Sequence, residues 1–272
     1  MRFAEGSAPL AWVRADRFDA RAVAWFLRLY GLALLVDVAT EVGAGVWNVH
    51  TGQLYPWRHL GIIPLYPARG LAIEWGLRSL AGFALALGAR RPRVIVLAVR
   101  VLTPTLFVAV LERYSNHGVL LFLIALFLSI APPDLTRADF DQQAHPALGL
   151  VRAQLVVVYV FSALNKLTHG FGRGDSLANL LAVGPATARI LSWSVIAAEL
   201  ALPIVLLRWP RLGLPGVIAL HVVFAVLVPG VWSFALAMIA MAVLFTRPGS
   251  GAPSPWPFGR GDSGAPAGPP RT

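Results

Sequence analysis

The chain has 272 residues and a mass of 29.2 kDa, with 57% hydrophobic residues, 13% charged residues and a mean hydropathy of +0.68. A soluble domain carries about 25% charged residues, so this composition excludes a soluble enzyme and a disordered chain, and the lack of cysteine excludes a disulfide-stapled secreted domain. The net charge of +10 comes mostly from arginines beside apolar runs, which reads as topology signalling and contact with anionic lipid and gives no reason to expect a nucleic-acid partner.

A membrane-crossing helix needs roughly 20 apolar residues, and about eight runs meet or approach that length. Residues 1–21 mix charges and lack the short apolar core of a cleavable signal, so a cytoplasmic N-terminal segment is expected. The first run, 22–42, contains Arg28, Asp37 and Glu41. A connection rich in Trp, Tyr, Pro and His fills 43–70, where His50, His59, Tyr55 and Trp57 read as an interfacial aromatic belt. The second run is 71–89, closed by the basic turn Arg90, Arg91 and Arg93; the third is 94–111, with a kink expected at Pro104. The fourth is 119–131, short for a crossing and able to start near Asn116, and it ends at Pro132-Pro133. The fifth is 147–167, followed by a Gly-rich segment at 169–174; the sixth is 190–207, the seventh 212–228 and the eighth 231–245. Residues 247–272 are Gly, Pro, Ala and Ser with few apolar side chains and read as a disordered tail. The predicted fold is all-α, a multi-pass helical bundle over 22–246. Arginine bias favours both termini inside a bacterial inner membrane, with the connections after runs one, three and five on the outer face.

A charge within the bilayer costs about 2.5–3.5 kcal/mol on insertion scales and needs a reason. Glu74 and Arg78 are four apart and can pair on one helix. Glu199 and His221 lie mid-run on adjacent helices, where pairing with each other and lining a pocket are both open. The fifth run is the informative one. Tyr159, Ser162 and Lys166 share one helix face, and Lys166 is the only lysine in the chain. Lysine, unlike arginine, can lose its proton when stripped of water, so a dry, uncharged amine serving as a general base is one reading; a lysine snorkelling from a helix end is the other.

The stretch Val151-Arg152-Ala153-Gln154 and then Val158-Tyr159-Val160-Phe161-Ser162-Ala163-Leu164-Asn165-Lys166-Leu167 resembles the membrane domain of vitamin K-dependent gamma-glutamyl carboxylase and its bacterial relatives, the horizontally transferred transmembrane (HTTM) domain family. Tyr114-Ser115-Asn116-His117 resembles the family's Asn-His element. Arg28, Gly31 and Asp37, with Gly61-Ile62-Ile63-Pro64, resemble its first helix and outer loop, and Glu199, Pro203, His221 and Phe234 resemble its last helices. The likeness covers roughly residues 22–247. It implies that Lys166 is the base that deprotonates a reduced, vitamin K-like quinone, that His117 is a second catalytic residue of that pocket, and that Asn116, Arg152, Tyr159, Ser162, Glu199 and His221 bind the substrate. It also implies lyase or monooxygenase-type chemistry with no metal. Phe171 stands where the carboxylase has tryptophan, and Asn165 where it has a second lysine. The carboxylase continues into a large extracytoplasmic domain that holds its protein substrate, whereas a Gly/Pro-rich tail follows here. The expectation is therefore the smaller chemistry, deprotonation of a quinol-type lipid. The alternative is a non-enzymatic lipid-binding, transport or assembly subunit, with Lys166 packed against a carboxylate such as Glu112. The Arg-Gly-Asp tripeptides at Arg173 and Arg260 read as chance products of Gly-rich basic sequence, and no metal-ligand spacing is present.

Overall fold

The computed structural model describes residues 18–45, 68–87, 92–112, 116–130, 145–228 and 230–246. Outside them lie residues 1–17, most of the aromatic connection with His50 and His59, the turn residues Arg90 and Arg91, the Pro132-Pro133 stop and the tail from Arg247.

The described chain is helical. Its helices are α1 (Ala20–Gly43), α2 (Ala68–Leu87), α3 (Pro92–Glu112), α4 (Asn116–Ile130), α5 (Pro146–Thr168), α6 (Asp175–Leu181), α7 (Pro185–Arg208), α8 (Pro210–Leu227) and α9 (Trp232–Val243), with a 3₁₀ turn at Phe171–Arg173 between α5 and α6. Each of the eight apolar runs corresponds to one long helix. By length and composition, five helices can cross a membrane: α1, α2, α5, α7 and α8. Among the described residues the apolar helices within α3, α4 and α9 are shorter than that, so five crossings meet this criterion where the sequence suggests about eight. Two boundaries move. α7 starts at Pro185, because proline is well accommodated in a helix's first turn. α4 starts at Asn116, so that 15 residues rather than 13 are helical. The short α6 was hidden in a stretch without apolar periodicity.

Helices adjacent in sequence pack together along most of the chain, and α9 closes the bundle by packing on α1, α4, α5 and α8. Its small residues allow this. Ala235, Ala237, Ala240 and Ala242 are all buried, together with Met238 and Met241, so neighbouring backbones can come close on several sides. The α1–α2 contact is equally tight. A Cβ on Gly31 would lie 2.5 Å from the carbonyl oxygen of Gly82 and 2.7 Å from the amide of Ala86, so only glycine fits there. Tyr30, stacked on Phe26, donates its hydroxyl to the carbonyl of Leu121 at 2.7 Å and ties α1 to α4. Many large side chains on the outside are apolar, including Phe161, Leu80, Ile190 and Leu212. Water would not tolerate such a surface, but lipid chains do. The chain is a multi-pass membrane protein.

Candidate functional site

Two polar clusters are buried in this apolar bundle. The first lies between α5 and α7. Lys166, in the last turn of α5, donates from Nζ to Ser162 Oγ at 2.6 Å and to both oxygens of Glu199 at 2.7 and 2.8 Å. Ser162 donates in turn to Glu199 Oε1 at 3.1 Å. The one-turn spacing of Ser162 and Lys166 brings both to the same α7 carboxylate. Glu199 is 4% exposed and the Lys166 side chain 21% exposed, so the pair sits with its carboxylate end in the bundle and its amine end near the surface. The Lys166 ammonium faces the Phe171 ring at 5.7 Å from the centroid. A cleft of about 340 Å³ is lined by Lys166 together with Asn165, Phe171 and Arg173.

This arrangement corrects the expectation of an isolated amine. An ammonium has three N–H donors, and Lys166 has three acceptors in place, two of them on a carboxylate. It also gives the partners that the sequence leaves open. Glu199 pairs with Lys166 and not with His221. His221 instead pairs with Tyr159, whose hydroxyl lies 2.9 Å from Nε2. Phe224 and Phe234 surround the imidazole at ring-centroid distances of 6.4 and 5.7 Å. Tyr159, Ser162 and Lys166 thus form one line of polar groups along α5, met by His221 from α8 and Glu199 from α7.

The second cluster joins the end of α1 to the start of α2. Arg78, 1% exposed, donates from Nη1 to Asp37 Oδ2 and from Nη2 to Glu41 Oε2, both at 2.6 Å, and its Nε lies 2.5 Å from Glu74 Oε1. Trp75 Nε1 donates to Glu41 Oε2 at 2.5 Å. The i,i+4 spacing of Asp37 with Glu41 on one helix and Glu74 with Arg78 on the other makes the four side chains meet. The local Glu74–Arg78 pair was legible in the sequence; its extension across to α1 was not. His117 belongs here, with Nε2 3.5 Å from Asp37 Oδ1, and its side chain is one-third exposed. Asn116, beside it at the start of α4, is exposed.

Arg152 does not order the floor of the Lys166 site. It lies 14 residues earlier on α5, about 21 Å along the axis at 1.5 Å per residue, with its guanidinium between the rings of Phe18 and Phe245 at 5.4 and 4.5 Å. The side chain of Glu112 lies outside the described residues. Among the described residues no group of three or more His, Asp or Glu side chains is placed to hold a metal ion. Phe171, which the sequence singles out only through the resemblance, is the aromatic neighbour of Lys166.

A helical bundle with outward apolar faces and an intramembrane lysine–glutamate pair defines a class of polytopic membrane protein with an ionisable site between helices. The HTTM-domain family model matches residues 16–249, so the chain belongs to the HTTM family, the carboxylase-related membrane family. No match was found among characterised proteins or among solved structures.

Proposed function

We propose that this protein binds a quinol-type lipid at the Lys166–Glu199 pair and removes a proton from it. The observation that carries the reading is a cation and a carboxylate joined inside an apolar bundle, at the end of a cleft with an aromatic ring at its side. Intramembrane ionisable groups mark proton or substrate sites more often than lipid-facing surface. A bound quinol would supply a weakly acidic hydroxyl. The proton passes to Glu199, and Lys166 Nζ offers positive charge to the oxygen left behind. Phe171 provides a flat apolar surface for a ring. Ser162 keeps the amine in place when Glu199 takes the proton, since it bonds to both. Tyr159 and His221 continue the polar line deeper into the bundle. His117 is assigned to a separate site, with Asp37 as its partner. On this reading the arginine bias puts both termini on the cytoplasmic side of a bacterial inner membrane, and the cleft would then open outward.

The purified full-length protein is extracted with organic solvent and the extract analysed for quinones. A quinone retained by the native protein and lost in Lys166→Ala and Glu199→Gln supports the proposal. Equal retention in all three overturns it.

One observation favours a second reading. The Lys166–Glu199 pair also clamps α5 to α7, as a lipid-binding or assembly subunit without catalysis would require. In that case a Lys166→Met, Glu199→Leu double substitution restores the fold and every measurable function. Under the first reading it restores the fold alone.

A further inference from the structure

A second cleft, of about 730 Å³, opens beside the Lys166 site where the end of α5 meets the first turns of α7. Arg173, Arg189, Trp193, Thr168 and His169 line it, over the apolar side chains of Leu167 and Ile196. No lining residue is acidic. Asp175, two residues after Arg173, lines the Lys166 cleft instead. Among the described residues neither arginine makes an ion pair.

The cleft is built by close packing. Gly172 lies so near Trp193 that a Cβ would meet the indole at 3.1 Å, and Gly174, at φ +92°, would put a Cβ 2.6 Å from the amide of Arg189. These contacts fix the backbone carrying Arg173 against the helix carrying Arg189. His169 Nδ1 is occupied by Asn165 O and Thr168 Oγ1, each at 2.9 Å, which leaves Nε2 as the ring's remaining polar atom. Arg189 and Trp193 are four apart and share one face of α7. Both helices are long and apolar enough to cross a membrane, and the cleft lies at their ends, the level of the lipid headgroups, where Trp and Arg are the usual anchors.

The geometry points to a binding site for a phosphate-bearing membrane lipid, with its phosphate held between Arg173 and Arg189 and its glycerol against Trp193. Guanidinium groups fit phosphate oxygens two at a time, and two of them, with no carboxylate in the lining of this cleft, form a site for an anion. The apolar floor and the exposed Phe161, Leu200 and Ile204 further along α5 and α7 favour an amphiphile over a free ion. Arg173 and His169 also line the Lys166 cleft, whereas Arg189 and Trp193 line this one alone, so a change at Arg189 separates this site from the quinol reading.

The full-length protein is placed in phosphatidylcholine nanodiscs with and without phosphatidylglycerol, and its melting temperature and bound lipid are measured. Phosphatidylglycerol is expected to raise the melting temperature by about 5 °C, the size of shift that ligand saturation produces in a chain this long, and to be enriched in the lipid that remains bound after detergent exchange. Arg189→Gln removes both effects. The side chain is exposed and lies outside the Lys166 cleft, so the variant keeps its fold and its quinone; an unchanged native-like spectrum and an unchanged quinone content confirm this. An equal shift with phosphatidylcholine alone, the same shift from inorganic phosphate without anionic lipid, or full retention of the effect in Arg189→Gln overturns the proposal.

Discussion

Arg78 and Asp37 are joined at 2.6 Å between α2 and α1, with both side chains almost completely buried. Glu41 and Glu74 reach the same guanidinium, so one cation holds three carboxylates. Removing one member of a buried ionic group costs about 3–5 kcal/mol, because its partners stay buried without compensation. Arg78→Leu is therefore expected to lower the melting temperature sharply or to prevent accumulation in the membrane. Arg78→Lys, which keeps the charge but loses the fork geometry, should fall between it and the native protein. Thermal melts of the three proteins in one detergent decide this, and a native-like Arg78→Leu protein would contradict it.

At the Lys166 site the prediction concerns which atom matters. Lys166→Arg preserves the charge and a bond to Glu199, the group that takes the proton, whereas Lys166→Met removes the positive charge that faces the quinol oxygen. The arginine variant should keep most of the native rate of quinolate formation, and the methionine variant should lose two orders of magnitude or more, on the order of what one electrostatic donor contributes. Absorbance of the quinolate, followed without oxygen in the purified variants, is the direct readout, and equal rates in the two would contradict it.

The Tyr159–His221 bond is buried on both sides, and His221 Nδ1 has no hydrogen-bond partner among the described residues. Tyr159→Phe would leave both ring nitrogens of His221 unsatisfied, at a cost of about 1–3 kcal/mol. The double variant Tyr159→Phe, His221→Phe should recover part of that loss, since no polar group is then stranded. A thermodynamic cycle on the melting curves measures the coupling, and strictly additive losses would show that the bond carries no stability.

Glycine positions offer a test of the α1–α2 packing. Gly31→Ala places a methyl group 2.5 Å from a backbone oxygen of the facing helix, whereas a Cβ at Gly76 meets nothing within 4 Å. The first substitution should push the helices apart and destabilise the bundle by about 1–3 kcal/mol. The second should be neutral or slightly stabilising, as alanine favours helix. Equal effects from the two would refute the close approach.

Much of this bundle is legible in the sequence. The eight long helices follow from apolar run length, and the shared face of Tyr159, Ser162 and Lys166 from helical spacing on α5. Partner choice was not legible. Periodicity places a residue on a face of its own helix but does not state how that helix is rotated against another. For that reason Glu199 could not be assigned to Lys166 in place of His221, and the Asp37–Arg78 contact could not be extended from the local Glu74–Arg78 pair. The α6 helix and the turn holding Phe171 and Arg173 were missed for another reason: their shape depends on Gly170 and Gly174 at positive φ and on contacts with α7, not on any hydrophobic pattern.

The meeting of α1 with α9 has a bearing on biogenesis. Among the described helices the first rests against the last, so the enclosure cannot close before α9 has been made. Two acidic groups on α1 would meanwhile face hydrocarbon, were it not that their cationic counterpart is only one hairpin away on α2. The first two helices thus carry their acidic groups and the guanidinium that binds them within one hairpin, and the closing segment, rich in alanine and free of charge, can slide into the remaining gap.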